Sequence, residues 1–394
     1  LLETFYRRME RRGLRVKFFT NRDEALFSLE NFINNRVINY SSKRNYDFGP
    51  NERDNVSCLS PYISHRLLDE FEVSRKVLSK HPYQKVEKYI QEIFWRVYWK
   101  GWLELRPKVW DDFIEDLKNI DNSGEYEKAI NGETNINCFN DWVKELKSNN
   151  YLHNHTRMWF ASIWIFTLKL PWQKGAEFFL RELYDGDAAS NTLSWRWVAG
   201  IQTKGKNYIA QNWNISKFTN DKYKDLNLNE NSQPITDQRE YKVSPLEITE
   251  NNTKLDHLIF FDNETNFKFF NIDKYTKIYC ILLSNAERKV GLSSKVLEYK
   301  MNLIEDQVND SNKAIEIIDG SKFIELSNSI KDFDIIYPCV GENMSFLKKI
   351  IKKNNLKINY LVRKEDKFCW QFSNKGYFNF KSNIPKILSQ FKLN

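Results

Sequence analysis

The segment from Tyr151 to Trp197 most constrains the fold, because it places charged side chains inside an apolar and aromatic sequence. It reads YLHNHTRMWFASIWIFTLKLPWQKGAEFFLRELYDGDAASNTLSWRW. Arg157 lies early in this segment, and Asp185 and Asp187 flank a glycine near its end. A buried charge is costly unless it is paired or hydrogen-bonded. A ligand that carries hydroxyl groups, phosphate and a heteroaromatic ring would give these side chains such partners.

The composition indicates a folded protein of two or three domains. A chain of 394 residues is long enough to bury a substantial core, and an aromatic content of 15% excludes a disordered composition. The formal net charge of +8 permits an anionic partner but does not require one. No apolar run reaches about 18 residues, so we expect no membrane span. The first residues also lack a signal-peptide pattern.

The cysteines are scattered and lack the spacing of metal ligands. Their odd number argues against a disulfide framework, so we expect a reducing, cytoplasmic setting and no metal site. The five positions are Cys58, Cys138, Cys280, Cys339 and Cys369.

The second half of the chain has a different pattern. Of the 12 tryptophans, 11 lie before residue 226, and residues 226–256 are polar, as in a linker. From His257 onward, short β-branched or aromatic runs (HLIFFD, KIYCILL, AIEIID, DFDIIYPCV and KINYLV) alternate with helical runs. This alternation predicts a Rossmann-like α/β domain over 257–394, with helices on both faces of a parallel sheet. No Gly-x-Gly-x-x-Gly motif or phosphate loop is present, so a dinucleotide site is not predicted there.

A predicted helix over residues 84–106 carries a polar and aromatic face. Glu92, Trp95 and Arg96 are separated by three and four positions, so they share one side of the helix. In an arbitrary helix, this pattern most often means an ion pair beside core tryptophans.

The sequence as a whole resembles the DNA photolyase and cryptochrome family. The motif LHNHTRM followed by DGDAASNTLSWRW is similar to the flavin-binding core of that family. A lone Asp-Gly-Asp is usually a turn, but here the agreement extends over many spaced positions. Those positions are Asn154, Arg157, Met158, Asp185, Asp187, Asn191, Trp195 and Trp197. The resemblance implies an all-helical domain over residues 1–225 that holds FAD.

The resemblance also implies which residues bind FAD. Arg157 and Asp185 would form a buried ion pair beside the flavin, and Asn191 would face the flavin N5. A Tyr-x-x-x-Arg pattern at Tyr40 and a Ser-rich loop would hold the diphosphate, although Val56 replaces the usual threonine of that loop. The implied set is Tyr40, Ser57, Leu59, Ser60, Arg96, Asn154, Arg157, Asp185, Asp187 and Asn191.

The same resemblance implies a pocket that binds a damaged base flipped out of the DNA duplex. Glu92 would hydrogen-bond the base, while Trp95 would stack on it and Trp197 would form the opposite wall. Stacking on tryptophan is favourable by roughly 1–3 kcal/mol per base. Trp195 and then Trp172 match an electron-transfer chain, for which Trp110 is the candidate for the exposed third member. For any single tryptophan, core packing is the commoner role.

Two positions discriminate between activities within the family. Asn191 stands where plant cryptochromes usually have Asp and animal cryptochromes Cys, so it indicates repair. Met158 stands where enzymes for (6-4) photoproducts have His, and a methionine cannot act as the acid that they need. The predicted function is therefore light-driven repair of cyclobutane pyrimidine dimers in DNA, a deoxyribodipyrimidine photolyase that acts as a monomer.

Departures from the family pattern keep alternatives open. After Trp197, the usual aromatic-Arg segment is replaced by TKGKNYIAQNWNISKF, in which Lys204, Lys206 and Lys217 could supply the charge. The second half resembles the family's antenna domain, best in KGYFNFKSNIPKIL, but it follows the flavin domain instead of preceding it. A second chromophore is possible, with no residue assigned to it. The last 44 residues carry ten basic residues and two acidic ones, which form either a solvated face or a second DNA contact. The alternative functions are a cryptochrome-like photosensor and a photolyase for (6-4) lesions or single strands.

Overall fold

The computed structural model describes residues 18–246, 248 and 255–393. The first 17 residues lie outside the described residues. The helical part contains, in order, α1 (Arg22–Asn35), α2 (Tyr40–Lys43), α3 (Ser60–Ser64), α4 (Glu70–Leu78), α5 (Tyr83–Glu104), α6 (Lys108–Lys118), α7 (Gly124–Asn131), α8 (Asn137–Asn149), α9 (Asn154–Ser162), α10 (Trp172–Glu182), α11 (Ala188–Val198) and α12 (Asn212–Phe218).

The longest helix, α5, crosses the helical part and forms much of its core. Val86, Ile90, Phe94 and Val97 recur at spacings of three and four and are buried. Tryptophans also fill this core, and Trp159 and Trp164 are fully buried. The aromatic composition therefore packs as one large cluster around α5.

The second half forms the predicted α/β domain. Its elements are β1 (His257–Phe261), β2 (Lys277–Ile281), α13 (Ser294–Asn309), β3 (Glu316–Ile318), α14 (Gly320–Ser329), β4 (Asp332–Ile336), α15 (Glu342–Asn354) and β5 (Lys357–Leu361). All strand pairs are parallel, in the order β3-β2-β1-β4-β5. This topology confirms the predicted fold class, a helical domain followed by an α/β domain.

Alternation along the strands separates the two faces of the sheet. In β1, Ile259 and Phe261 face one core with α14 and α15, whereas Leu258 and Phe260 face another with α13. A strand buried on both faces reads as a continuous apolar run, which is why HLIFF could be recognised in the sequence.

The polar segment after residue 226 lies along the helical domain. Its described residues form no helix or strand, but Ile235 donates its backbone N–H to the Ala199 carbonyl at 2.9 Å. Ser244 donates in the same way to the Leu105 carbonyl at 2.9 Å. The prediction of a linker over 226–256, like the other domain boundaries, stays a prediction.

Three short helices at the end of the chain pack on the helical domain. They are α16 (Lys364–Trp370), α17 (Tyr377–Lys381) and α18 (Ile384–Gln390). Phe380, Ile384 and Ile387 are buried in the same cluster as α5. The chain therefore leaves the helical domain, builds the sheet and returns to α5.

A network of buried charges joins the two domains. Arg66, just after α3, donates two hydrogen bonds to Asp366, at 2.6 and 2.7 Å. Arg363, just after β5, hydrogen-bonds Glu264 and also donates to Asp69 at 3.2 Å. All five side chains are buried or nearly so. Removing one charge would therefore leave a buried partner without its counter-charge.

Two further properties hold for the described residues. None of their helices combines the length and the apolar character that crossing a membrane requires. Their histidine, cysteine, aspartate and glutamate side chains form no cluster able to hold a metal ion.

Candidate flavin-binding site and adjoining pocket

Arg157 and Asp185 form the ion pair expected beside a flavin. Arg157, on α9, donates to both carboxylate oxygens of Asp185, at 3.0 and 2.8 Å. Its Nε also donates to the Leu152 carbonyl at 2.9 Å, which fixes the plane of the guanidinium. The Ser60 hydroxyl donates to the same carboxylate. Burial alone would lower the pKa of Arg157, but Asp185 and Tyr151 together raise it above its ordinary value, so Arg157 stays charged.

Asp187 links helix α11 to helix α5. Its carboxylate accepts the backbone N–H groups of Ala189 and Ser190 and so caps the N-terminus of α11. Its other oxygen lies 2.7 Å from Nη1 of Arg96, which is on α5. Burial raises the pKa of Asp187, but Arg96, Lys100 and the hydrogen bonds from Ser190 together hold it below its usual value.

Arg96 has spare hydrogen-bonding capacity. Its Nε lies 3.5 Å from a carboxylate oxygen of Glu70, while its Nη2 is buried and finds no hydrogen-bond acceptor within the described residues. Buried donors are nearly always satisfied, so an unsatisfied guanidinium nitrogen is suited to an anionic ligand group. The diphosphate of FAD is such a group.

Asn191 offers one polar atom in a buried place. Its amide nitrogen donates to the Ala176 carbonyl at 2.8 Å, which orients the side chain. No hydrogen bond between described residues uses its carbonyl oxygen. Together with Arg96 and the Arg157–Asp185 pair, Asn191 therefore fits a flavin.

Most of the remaining predicted cofactor residues have other neighbours. Tyr40 packs its ring against Phe32 and Tyr89, and Leu59 is buried where α3 begins. Ser57 is half-buried in the loop before α3, and Asn154 is exposed at the first position of α9. Only Ser60 of these residues contacts the Arg157–Asp185 pair directly.

Glu92 does not stand alone on its helix face. One of its carboxylate oxygens lies 3.0 Å from Nη1 of Arg44 and 3.0 Å from Nζ of Lys88. The Tyr-x-x-x-Arg pattern implies a diphosphate contact for Arg44, and this stays a prediction; in the structure Arg44 also pairs with Glu92. The second oxygen of Glu92 forms no salt bridge with any described residue.

Trp95 has a neighbour that the sequence did not predict. The ring of Tyr377 lies flat on it, with ring centroids 3.3 Å apart and planes inclined by 10°. One face of the indole is therefore covered, and a base could stack only on the other face. Trp197, the predicted opposite wall, stacks on Tyr208, and Met158 is half-buried on α9.

The tryptophans proposed for electron transfer separate into two groups. Trp195 is buried and contacts Trp164, with centroids 6.2 Å apart. Trp172 stacks on Phe113, which in turn contacts Trp110. Trp110 is only 2% exposed, because its Nε1 donates to Ser345 of the α/β domain. The expectation that Trp110 is an exposed end of the chain is therefore wrong.

Comparisons with known proteins agree with this geometry. Residues 89–227 match the model for the FAD-binding domain of DNA photolyase. The chain is 30% identical over 183 residues to a deoxyribodipyrimidine photo-lyase of Agrobacterium fabrum, a match covering 45% of this chain and 37% of that protein. It is 23% identical over 198 residues to the protein of the same name in Escherichia coli, covering 47% of this chain and 40% of that one. The matches thus span less than half the length of these relatives.

Two solved structures are also similar. A bacterial class III photolyase from Agrobacterium tumefaciens superposes with a TM-score of 0.45 and 26% identity, over 51% of this chain and 43% of that chain. A cryptochrome from Synechocystis gives 0.46 and 21%, over 52% and 44%. Residues 89–227 of the helical part thus match a flavin-binding domain. Over this part, the chain is similar to the photolyase and cryptochrome family.

Proposed function

We propose that this protein uses light and reduced FAD to split cyclobutane pyrimidine dimers in DNA. The observation that carries the proposal is the ion pair between Arg96 and Asp187, 2.7 Å apart. It connects the helix that bears Glu92 and Trp95 to the helix that bears Asn191. The residues suited to a damaged base thus lie next to those suited to a flavin.

FAD, when bound in its reduced form, supplies the electron that light transfers to the dimer. Two carbon–carbon bonds of the cyclobutane ring then break and the electron returns, so the reaction has no net oxidation or reduction. Trp95 positions the dimer by stacking, with Trp197 as the opposite wall. A hydrogen bond from the substrate edge to the second oxygen of Glu92 holds the base in place, while Arg44 and Lys88 pair with the first oxygen.

Two side chains support repair of this lesion in particular. The neutral amide of Asn191 can accept a hydrogen bond without adding charge next to the flavin. Met158 supplies no acid for (6-4) chemistry. Trp195 relays electrons when the flavin is reduced by light, with Trp164 as its nearest tryptophan and Trp172 further out.

A cavity of about 100 Å³ lies between the carboxyl ends of the strands of the α/β domain and α11. Its charged lining is internally paired, since Arg288 and Lys300 each lie 3.0 Å from Asp262. We therefore propose FAD as the cofactor and assign no residue to a second chromophore.

The partner in this proposal is UV-damaged DNA, and the protein acts on it as a monomer. The five cysteines are all free, which supports a reducing, cytoplasmic compartment.

The test uses photoreduced protein and oligonucleotides that carry one defined lesion. Cyclobutane dimers and (6-4) products are assayed separately, in light and in the dark, on duplex and on single strands. We expect light-dependent restoration of the cyclobutane dimer alone. The variant Glu92→Gln keeps the shape of the side chain and removes its charge. We expect it to repair the dimer more slowly than the wild type, and its flavin content, which should be unchanged, is the control.

The other outcomes identify the alternatives. Repair of the (6-4) product would overturn the argument from Met158. Repair of neither lesion, by a protein that binds FAD and photoreduces, would favour a cryptochrome-like photosensor.

A further inference from the structure

The three C-terminal helices bring a basic segment next to the proposed lesion pocket. Tyr377, at the start of α17, stacks on Trp95 and donates its hydroxyl to the Gln91 carbonyl at 2.7 Å. Phe380, one turn later, is fully buried in the core around α5. The position of α17 relative to the pocket is therefore fixed on two sides.

Phe378 points away from this core. It is 85% exposed, more than any other large apolar side chain in the described part of the chain. Single exposed apolar residues are common on proteins. Phe378, however, is the direct neighbour of a residue that touches Trp95, and exposed aromatic rings are what single-strand and lesion-binding surfaces use to stack on bases.

The segment that contains Phe378 carries only positive charge. Residues 371–393 contain four lysines and no acidic residue. Lys375 precedes α17 and is exposed, and Lys381 ends α17 and is half-buried. Neither takes part in a salt bridge with any described residue, so both charges remain for an external anion.

The segment after Trp197 supplies part of the expected charge. Lys204 lies 3.1 Å from a carboxylate oxygen of Glu240, whereas Lys206 and Lys217 form no salt bridge with any described residue. Basic residues near the proposed pocket would add to the charge of this segment.

We infer that α17 contacts the DNA strand that flanks the flipped-out dimer. Lys375 and Lys381 bind its phosphates, and Phe378 stacks on a base beside the gap that the dimer leaves. This inference rests on the proposed function, and it assigns to the C-terminal helices a part of the DNA-binding surface. Phosphate contacts give affinity and salt dependence, whereas stacking beside a gap favours damaged over intact DNA.

The experiment measures binding in the dark, so that no repair occurs. Fluorescence anisotropy is recorded for a duplex with one cyclobutane dimer and for the same duplex undamaged, between 50 and 200 mM salt, about the range over which phosphate contacts are distinguished. The variants are Phe378→Ala and the double variant Lys375→Gln/Lys381→Gln. The matched control, Lys349→Gln/Lys353→Gln, removes the same charge from exposed positions on α15.

We expect Phe378→Ala to weaken binding of the damaged duplex about tenfold, with a smaller change for the intact one. The double variant should lower the slope of log affinity against log salt by about two, and the control should leave both quantities near wild type. Bound flavin, read from visible absorbance, should be equal in all variants, because these side chains are remote from the Arg157–Asp185 pair.

Two different failures can be told apart. If the wild-type protein prefers damaged DNA and the α17 variants behave like the control, the inference is wrong and the proposed function stands. If the wild-type protein does not distinguish damaged from intact DNA, the proposed function fails and the inference fails with it.

Discussion

Two groups of buried charge in this protein differ in how their charges are paired. At the domain interface, Arg66 and Arg363 face four carboxylates, and Asp366 receives two hydrogen bonds from Arg66, whose buried Nε alone finds no acceptor among the described residues. At the flavin site, within the same described residues, Nε and Nη2 of Arg96 are buried without an acceptor, and no hydrogen bond uses the carbonyl oxygen of Asn191. The first group holds domains together, whereas the second is incomplete until a ligand arrives. Buried charge is therefore informative about binding only when its partners are counted.

The largest effect is expected at the interface. Arg66→Ala leaves the Asp366 carboxylate unpaired, while Glu264 keeps Arg363, so the free energy of unfolding should fall by about 3–5 kcal/mol. Urea denaturation measures this change. In the double variant Arg66→Met/Asp366→Leu, the loss should be smaller, because both charges are removed. An equal loss in the single and double variants would contradict the assignment of a closed ion-pair network.

The next effect is expected at the flavin site. Arg157→Ala removes both hydrogen bonds to Asp185, and FAD affinity should fall at least about 100-fold, as when a buried ion pair loses one partner. Flavin content after purification and titration with FAD measure it. Arg157→Lys keeps the charge without the forked geometry, so its FAD affinity should lie between that of the wild type and that of Arg157→Ala. A purified Arg157→Ala protein with full yellow colour would remove this residue from the site.

The stability of the interface should depend on pH in a way that flavin affinity does not. Glu104, at the end of α5, accepts hydrogen bonds from the Tyr337 hydroxyl at 2.8 Å and the Val340 backbone at 2.6 Å, and burial raises its pKa to about 7. Because this pKa is raised on folding, its contribution is complete below about pH 4.5 and is lost as pH rises to 7. Glu104→Gln cannot ionise, so it should gain about 2 kcal/mol over wild type between pH 5 and pH 8.

The measurement is urea unfolding of both proteins at the two pH values. Flavin affinity serves as the control and should change equally in the two proteins. A stability difference that does not vary with pH would mean that Glu104 is ionised throughout.

The smallest effect concerns two aspartates with the same local role. Asp187 caps α11 and Asp319 caps α14, where it accepts the Lys322 backbone N–H at 2.8 Å. Asp319 is exposed, so Asp319→Ala should cost about 1 kcal/mol of stability and leave FAD affinity unchanged. Asp187→Ala should reduce both, because Asp187 also pairs with Arg96. Equal flavin affinity in the two variants would place Asp187 outside the site.

The α/β domain could be predicted from the sequence alone. Each of its five strands is a short apolar run such as HLIFF or DFDII, because the sheet is buried on both sides. The pattern of apolar residues therefore predicts both the strands and the parallel type of the sheet. It does not predict how the sheet contacts the helical domain, since that contact depends on Arg66 and Asp366, which are 300 residues apart.

The flavin site was predictable for a different reason. The Arg157–Asp185 pair follows from a resemblance over many spaced residues, and the structure brings the two side chains together. The sequence could not give the partner of Trp95, because Tyr377 is on a short helix beyond the sheet. The motif KGYFNF resembles part of the second domain, whereas the structure packs it on α5. The predicted exposure of Trp110 is wrong for a related reason, because the α/β domain covers this side chain.

The return of the chain to α5 also has a consequence for folding. Tyr377 and Gln91 are bonded across 286 positions, so this contact closes a very long loop. Contacts between distant residues form late, and domains generally fold as they are synthesised. During translation, the aromatic surface around Trp95 therefore stays uncovered until residue 377 has been made. Part of the core of the helical domain is therefore accessible to chaperones in the cell until a segment encoded after the entire sheet has been synthesised.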